Sequence, residues 1–228
     1  MQQPRDLSRG RFQFAPDSAD LIFVLGAGGF AHELKAYLSA IAPRSEVWLV
    51  GPESDGAIPP GAYEERVAAA GATAATYLGS GLCDVKRRML MEVRGRLGNP
   101  LVLATAVWTD RIGVGAVIAD CAVIAPGAVV GESVLINYGA TVGHDTVVGD
   151  LSVVAPQAAI GGHCSIADGV YIGAGSTIRE RTRLGANAVI GMGAIVTRDV
   201  PPDTLVIGVN EMHPRSEWET GTRKAPHQ

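Results

Sequence analysis

The residues best suited to chemistry are a histidine and an aspartate that stand side by side. His144 and Asp145 lie in the stretch TVGHDTVVGD, residues 141–150. A neutral imidazole accepts a proton near pH 7, and an adjacent carboxylate fixes its tautomer and stabilises the imidazolium, provided that the two side chains meet. The pair is a candidate general base with its orienting group. A polar residue on an exposed corner is the alternative interpretation.

The sequence around this pair repeats every six residues. A branched aliphatic side chain occupies every sixth position from Ile112 to Val196, and the residue two positions before it is small in most repeats. Residues two apart in a strand point to the same face, so each repeat places one small and one branched side chain inside. The aliphatic positions are Ile112, Ile118, Ile124, Val130, Ile136, Val142, Val148, Val154, Ile160, Ile166, Ile172, Ile178, Leu184, Ile190 and Val196.

This period predicts a triangular parallel β-helix with three six-residue sides per coil and about five coils. Recurring glycines fall at its corners, where the chain needs an unusual backbone conformation or a close backbone approach. Many outward positions are also apolar, which predicts an interface and, for a three-sided prism, a homotrimer. These outward residues are Val117, Val123, Val129, Leu135, Val147, Val153, Val189 and Ile195.

A second histidine of the repeat region is a weaker candidate. His163, in IGGHCS, lies one residue more than a full coil after His144. It need not share the surroundings of His144, and a solvated corner residue is the simpler interpretation.

Composition divides the chain near residue 110, where helix-forming stretches give way to Gly, Val, Ile and Ala. We expect a flexible tail over 1–18, a Rossmann-like α/β domain over 19–105, the β-helix over 106–212 and a flexible tail over 213–228.

The segment LIFVLGAGGFAHELKAYLSAIA predicts a strand, a tight glycine turn and an amphipathic helix. Gly26, Gly28 and Ala31 fit a loop whose backbone N–H groups hold phosphate at a helix N-terminus. Gly51 and Pro52 stand where a dinucleotide-binding domain needs an acidic residue, which disfavours NAD. A turn required only for packing the helix on the sheet remains an alternative. His32, in the first helical turn, is either a surface residue or a substrate contact.

The uninterrupted hexads and this glycine loop resemble the left-handed β-helix hexapeptide-repeat acyltransferases over residues 20–212. Within them, the chain is similar to the sugar acyltransferases of the NeuD-like sialic acid O-acetyltransferase and the PglD- and PerB-like nucleotide-amino-sugar N-acetyltransferase type. The resemblance implies a left-handed coil, His144 and Asp145 as the catalytic pair, and acetyl-CoA as co-substrate. It also implies that a nucleotide-linked sugar binds at the loop formed by Gly26, Gly28, Gly29 and Phe30.

The same resemblance implies that acetyl-CoA lies between neighbouring prisms along the later coils. Gly162, Ala174, Gly191 and Met192 match the positions that contact the pantetheine arm, although each residue could be only a constraint of the repeat. No Ser or Cys nucleophile is required, because the acceptor can attack the thioester directly.

The expected activity is acetylation of an amino group on a nucleotide-linked sugar, with His144 as general base. Acetylation of a sugar hydroxyl and a non-catalytic trimeric scaffold remain alternatives. Some triangular β-helices are zinc carbonic anhydrases, which need three convergent His ligands. The repeat region supplies only His144 and His163, so no metal site is predicted.

Composition excludes several other classes of partner. The chain has 228 residues, of which 47% are hydrophobic and 18% charged, and a net charge of −4. It therefore lacks a basic field for nucleic acid or for an anionic membrane surface. No apolar run approaches the roughly 20 residues that span a bilayer, and the N-terminus lacks the apolar centre of a secretion signal. We expect a cytoplasmic protein.

Overall fold

The computed structural model describes residues 19–52, 56–70, 73–93, 96–103 and 106–216. An α/β domain comes first, and its elements are β1 Leu21–Leu25, α1 Gly29–Ile41, β2 Glu46–Val50, α2 Pro60–Ala70, β3 Ala74–Leu78, α3 Cys83–Glu92 and β4 Arg96–Leu97. Its four described strands form a parallel sheet in the order β2-β1-β3-β4. Each of the first three strands is followed by a helix on the pattern of a Rossmann-like unit, as the sequence predicts, and β4 is followed directly by the β-helix. The predicted tail 1–18 and residues 217–228 lie outside the described residues.

The rest of the chain winds into a β-helix with three faces. Face 1 stacks β5 Leu101–Val102, β7 Val117–Ile118, β10 Leu135–Ile136, β13 Val153–Val154, β16 Tyr171–Ile172, β19 Val189–Ile190 and β21 Thr204–Ile207. Face 2 stacks β6 Ala106–Val107, β8 Val123–Ile124, β11 Thr141–Val142, β14 Ala159–Ile160, β17 Thr177–Ile178 and β20 Ile195–Val196. Face 3 stacks β9 Val129–Val130, β12 Val147–Val148, β15 Ser165–Ile166 and β18 Arg183–Leu184.

The five coils predicted from the hexads are present, and the β-helix continues beyond them at both ends. Strand β5, which precedes the first hexad, pairs with β7, and strand β21, which follows the last hexad, pairs with β19. A final strand, β22 Glu211–Pro214, then turns back antiparallel to β21. The strand at Leu101 thus precedes the domain boundary expected at residue 105, and β22 includes the first two residues of the tail expected from 213. The division into domains stays a prediction.

The interior of the β-helix is the ladder of side chains that the repeat predicts. Branched residues such as Ile118 and Ile136 are 0% exposed, and small partners such as Ala116 and Ala140 are 0% exposed. The coils pair in a register of 18 residues, for example Val142 with Ile160. Burying one such aliphatic side chain contributes roughly 1.5–3 kcal/mol, so the stacked coils supply much of the core.

The corners divide the two roles of glycine between two positions. Left-handed backbone recurs every sixth residue and is adopted both by glycines and by other residues, including Asp145 (φ +57°) and His163 (φ +58°). Glycines after the aliphatic position, such as Gly143, are there for close approach, because a Cβ at that residue would lie 2.5 Å from the carbonyl carbon of Gly161. For the glycines that follow the aliphatic position, close backbone approach is therefore the reason that applies, and not an unusual backbone conformation.

The outer side of face 1 is covered by the α/β domain of the same chain. Val117, Leu135 and Val153 are buried in one cluster with residues of β1 and α1, such as Ile22 and Leu34. Part of the apolar outer surface attributed to a subunit interface therefore has an intramolecular partner. Sequence could not distinguish the two, since both bury the same kind of side chain. Val123, Val147 and Ile195, on faces 2 and 3, stay 37%, 45% and 45% exposed.

Helix α3 fixes the domain to the corner where face 3 turns into face 1. Lys86 is 2% exposed, and its Nζ donates to the carbonyl oxygens of Ser133 and Ser152. Next to it, Arg87 donates to Oδ1 of Asn187 at 2.7 Å. Burial lowers the pKa of Lys86 to about 7. Among the described residues, no helix is long and apolar enough to cross a bilayer.

Candidate functional site

His144 and Asp145 lie at the corner between face 2 and face 3, called here edge 2–3, in the turn from β11 to β12. Backbone hydrogen bonds between coils fix this turn. The Asp145 N–H donates to the carbonyl of Pro126 at 3.1 Å, and the carbonyl of His144 accepts from the His163 N–H at 2.8 Å. Both side chains therefore start from a backbone whose position is set by the coils before and after them.

The two side chains meet. Nδ1 of His144 and Oδ2 of Asp145 are 2.9 Å apart, and the side chains are 59% and 54% exposed. With its proton on Nδ1, the ring donates to the carboxylate and leaves the lone pair of Nε2 as the acceptor. The hydrogen bond from His144 is the main cause that lowers the pKa of the Asp145 carboxyl, with a further contribution from the charge of His163. Asp145 is thus ionised when the imidazole is neutral.

Two glycines make room for this pair in the neighbouring coils. A Cβ at Gly162 would lie 2.5 Å from Nε2 and 2.8 Å from Cδ2 of His144. A Cβ at Gly127, on the other side, would lie 2.3 Å from Oδ1 of Asp145. The ring of His144 therefore packs against bare backbone at Gly162, and any larger residue there would displace it. Sequence predicted Gly162 as a contact of coenzyme A, and that role stays a prediction.

His163 is an exposed corner residue, as the simpler interpretation expects, but it shares the surroundings of His144. Its ring contacts that of His144 edge to face, with centroids 4.7 Å apart and an interplanar angle of 84°. Its Nδ1 lies 3.9 Å from Oδ2 of Asp145. The 18-residue register explains this proximity, because it pairs His163 with Asp145 and Gly162 with His144. A search for titratable residues one coil apart, applied to the aspartate as well as to the histidine, would have found it.

The other predicted coenzyme contacts lie on a different edge. Ala174 is in the turn from β16 to β17, and Gly191 and Met192 are in the turn from β19 to β20, so all three are at the corner between face 1 and face 2. Met192 is 82% exposed. In a single chain, these three residues and the His144 group are thus on separate edges of the prism. Arg198 is on edge 2–3 three coils beyond His144, about 14 Å away at the usual spacing between strands.

The predicted phosphate-binding loop opens helix α1 as expected. Gly26 has φ +121°, and Gly28 caps the helix in extended conformation. Open space surrounds Gly28 and Gly29 where a Cβ would be, whereas Phe30 packs partly buried against the core beside α1. Gly26 also lines a cavity of about 620 Å³ with Gly51, Pro52, Pro59, Met89 and Glu92. Contact of Gly26, Gly28, Gly29 and Phe30 with a substrate stays a prediction.

Comparisons with known proteins agree with this architecture. Residues 163–198 match the family described as bacterial transferase hexapeptide (six repeats). No curated protein matches the sequence.

Solved structures match almost the whole fold. The acetyltransferase domain of PglB from Neisseria gonorrhoeae FA1090, in complex with acetyl coenzyme A, is 22% identical at a TM-score of 0.76, covering 86% of this chain and 99% of that one. WeeI from Acinetobacter baumannii AYE is 23% identical at a TM-score of 0.71, covering 85% and 99%. PerB from Caulobacter crescentus, in complex with CoA and GDP-perosamine, is 24% identical at a TM-score of 0.70, covering 82% and 93%.

The repeats, the topology and these alignments agree on one architecture. The chain carries a bacterial transferase hexapeptide segment and has the fold of the left-handed β-helix acetyltransferases, with the α/β domain placed before the helix.

Proposed function

We propose that the protein transfers an acetyl group from acetyl-CoA to an amino group of a nucleotide-linked sugar, with His144 as general base. The observation that carries this proposal is the 2.9 Å contact between Nδ1 of His144 and Oδ2 of Asp145 on an exposed edge. With the ring proton on Nδ1, Nε2 keeps the lone pair that a general base requires. The fold shared with structures that hold acetyl-CoA, or CoA with GDP-perosamine, supports the two substrates.

The chemistry needs only groups that this edge and the substrates supply. The neutral amine of the sugar attacks the thioester carbonyl, a C–N bond forms, and the C–S bond breaks. The proton lost by the nitrogen goes to Nε2 of His144, while Asp145 stabilises the resulting imidazolium. The proton then leaves to the CoA thiolate or to solvent, so that the products are the amide and the free thiol.

The homotrimer is part of the same proposal, because the proposed site needs residues from the edges of two neighbouring subunits. No single edge of the described chain carries both the His144 group and the set of Ala174, Gly191 and Met192. A groove between two prisms does carry both, if edge 2–3 of one protomer faces the edge between faces 1 and 2 of the next. Val123 and Ile195, exposed on the face between these two edges, provide apolar area for such a contact. Light scattering that finds only monomer at micromolar concentration would contradict it.

The glycine loop and the cavity beside it are the proposed site of the nucleotide. The free N–H groups at the start of α1 attract phosphate, and the cavity next to Gly26 is large enough for a small ligand group. Gly26, Gly28, Gly29 and Phe30 would line its approach.

A panel assay tests the proposal. Release of free thiol from acetyl-CoA is followed with UDP-, GDP- and dTDP-linked 3-amino and 4-amino sugars, and mass spectrometry identifies the acetylated product. Turnover of one amino sugar is expected. If every amino sugar is inert while a hydroxyl acceptor reacts, the protein is a sugar O-acetyltransferase. If nothing reacts and acetyl-CoA does not bind, the scaffold alternative replaces it.

A further inference from the structure

Edge 2–3 holds three side chains whose ligand atoms are close enough to share a metal ion. Among the described residues, the ligand atoms of His144, Asp145 and His163 lie within 4.8 Å of one another. We propose that these three residues form a binding site for a divalent cation of the zinc class. The sequence did not predict it, because His163 was not expected beside His144.

The separations of the ligand atoms suit a tetrahedral ion. At Zn–N and Zn–O distances of 2.0–2.2 Å, neighbouring ligand atoms lie about 3.3 Å apart. Oδ2 of Asp145 is 2.9 Å from Nδ1 of His144 and 3.9 Å from Nδ1 of His163. These two distances lie on either side of the tetrahedral value. All three separations are within 4.8 Å, so closing the ligands around an ion requires shifts of up to about 1.5 Å.

The backbone holds the three residues ready for such an ion. Asp145 and His163 occupy the same left-handed position of successive coils, and the His163 N–H donates to the carbonyl of His144. The site is therefore built on the rungs of the β-helix and not on a free loop. The side chains of His144, Asp145 and His163 are 59%, 54% and 42% exposed, which leaves the fourth position open to water or to a substrate atom.

The chemical nature of the ligands selects the ion. Two imidazole nitrogens and one carboxylate oxygen suit Zn²⁺, Co²⁺, Ni²⁺ and Cu²⁺. Mg²⁺ and Ca²⁺ prefer six or more oxygen ligands, which this edge does not present in the described residues. Of the four suitable ions, Zn²⁺ and Co²⁺ are the appropriate probes, because the proposed site is tetrahedral and Co²⁺ reports that geometry in its visible spectrum.

Metal binding has a consequence for the proposed transfer, and this part of the inference rests on the proposed function. A metal ion on Nδ1 of a neutral imidazole obliges the ring proton to sit on Nε2. His144 would exchange its Nδ1 proton for one on Nε2, with no net release, and would lose the lone pair that accepts the proton of the amine. A bound zinc ion would thus inhibit acetyl transfer.

Direct binding to the tag-free, full-length protein tests the site. Zn²⁺ is titrated by calorimetry, and Co²⁺ by its visible absorption. We expect one ion per chain and a tetrahedral Co²⁺ spectrum. His163→Asn keeps a residue that tolerates left-handed backbone and removes one imidazole, so its affinity should fall at least about tenfold. His32→Ala is the matched control and should bind as the unsubstituted chain does.

Two results would overturn the proposed site. One is the failure of the unsubstituted protein to bind either ion, and the other is an unchanged affinity in H163N, shown to be folded by circular dichroism. The outcome for the proposed function is separate. A chain that binds zinc but acetylates nothing supports the site and contradicts the function, whereas a chain that acetylates sugars without binding zinc does the opposite.

An activity measurement then tests inhibition. Equimolar Zn²⁺ should abolish most of the transfer by the unsubstituted protein, and EDTA should restore it. Each variant is compared with its own metal-free rate, and H163N should lose less of its rate to the same zinc concentration. Equal inhibition of both proteins would show that zinc acts elsewhere.

Discussion

Two edges of the β-helix have the same backbone and use it differently. On edge 2–3, the carboxylate of Asp145 accepts from an imidazole. On the edge between face 3 and face 1, called edge 3–1, the carboxylates accept from the backbone. Asp150 Oδ1 takes the N–H of Glu132 at 2.8 Å, and Asp168 Oδ1 takes the N–H of Asp150 at 3.0 Å.

The covering of the two edges differs as well. Helix α3 lies on edge 3–1, where Lys86 is buried and Arg87 reaches Asn187. The described residues leave the His144 group on edge 2–3 largely exposed. The repeated corner therefore does not by itself determine the chemistry of the side chains that it carries. A carboxylate satisfied by a backbone N–H stabilises the coil, and one satisfied by a side chain orients a reactive group.

Removing the proposed base should produce the largest effect. His144→Ala is expected to lower turnover by about 10²–10⁴-fold, the usual contribution of a general base. The oligomeric state and the unfolding transition should not change, since the side chain is 59% exposed. The rate of thiol release with the best acceptor measures the effect, and an unchanged rate would remove His144 from the mechanism.

Filling the space beneath the ring should have the next largest effect. The three atoms nearest to the Cβ of Gly162→Ala would be ring atoms of His144, at 2.5–2.9 Å, so the ring must move. Moving a reacting group by about 1 Å costs about 10²-fold in rate. Gly149→Ala is the matched change on edge 3–1, where the Cβ would meet Oδ1 of Asp168 and backbone atoms of Ala167 and Asp168.

The two alanine variants should therefore separate activity from stability. Gly162→Ala is expected to lose rate with little loss of stability, and Gly149→Ala to lose stability at a nearly normal rate per folded chain. Kinetics and urea unfolding of both proteins provide the check. The reverse pattern would mean that the ring can relax without cost.

The aspartates of the two edges give a smaller contrast. Asp145→Asn keeps the left-handed corner but removes the charge that stabilises the imidazolium, so we expect a loss of about tenfold in turnover. Asp150→Ala removes one acceptor for the N–H of Glu132 and should lower the unfolding free energy by no more than about 1 kcal/mol, with normal turnover. Equal rates in both variants would show that Asp145 does not orient the base.

The burial of Lys86 on edge 3–1 should make the free energy of unfolding depend on pH. The pKa of Lys86 is lowered to about 7 by burial, from an ordinary value of 10.5. Between these two values the unfolded chain binds the extra proton, so stability should rise as pH increases through this window. The slope for one proton is at most about 1.4 kcal/mol per pH unit.

Lys86→Met should flatten that rise. The comparison requires urea unfolding of both proteins at equal protein concentration, because the stability of an oligomer depends on concentration. A slope that is identical with and without the lysine would mean that Lys86 does not carry the effect.

Much of the fold was predictable because the repeat is local. Each hexad specifies its own strand, its own inward side chains and its own corner, and neighbouring coils reinforce the same choice. The inward positions, the parallel stacking and the glycine turn before α1 all follow from this kind of pattern. The extra coils at the ends were not evident, because Leu101 and Leu205 lie outside the strict six-residue period.

The candidate site was predicted only in part. Adjacent residues such as His144 and Asp145 can be recognised as a pair in sequence, and the structure brings their side chains together. The approach of His163 depends on which residue of the next coil stands below Asp145. That relation is set by the register, which shifts every neighbour if it changes by one residue.

The residue pattern specifies the period, and the period specifies the prism and the corner that carries His144. The packing of the whole chain specifies which apolar face the α/β domain covers, which edge receives Lys86, and that His163 joins His144 and Asp145. The physical reason is that hydrophobic burial has no direction. An outward valine specifies only that something apolar must cover it, whereas contacts between distant residues depend on the way the whole chain packs.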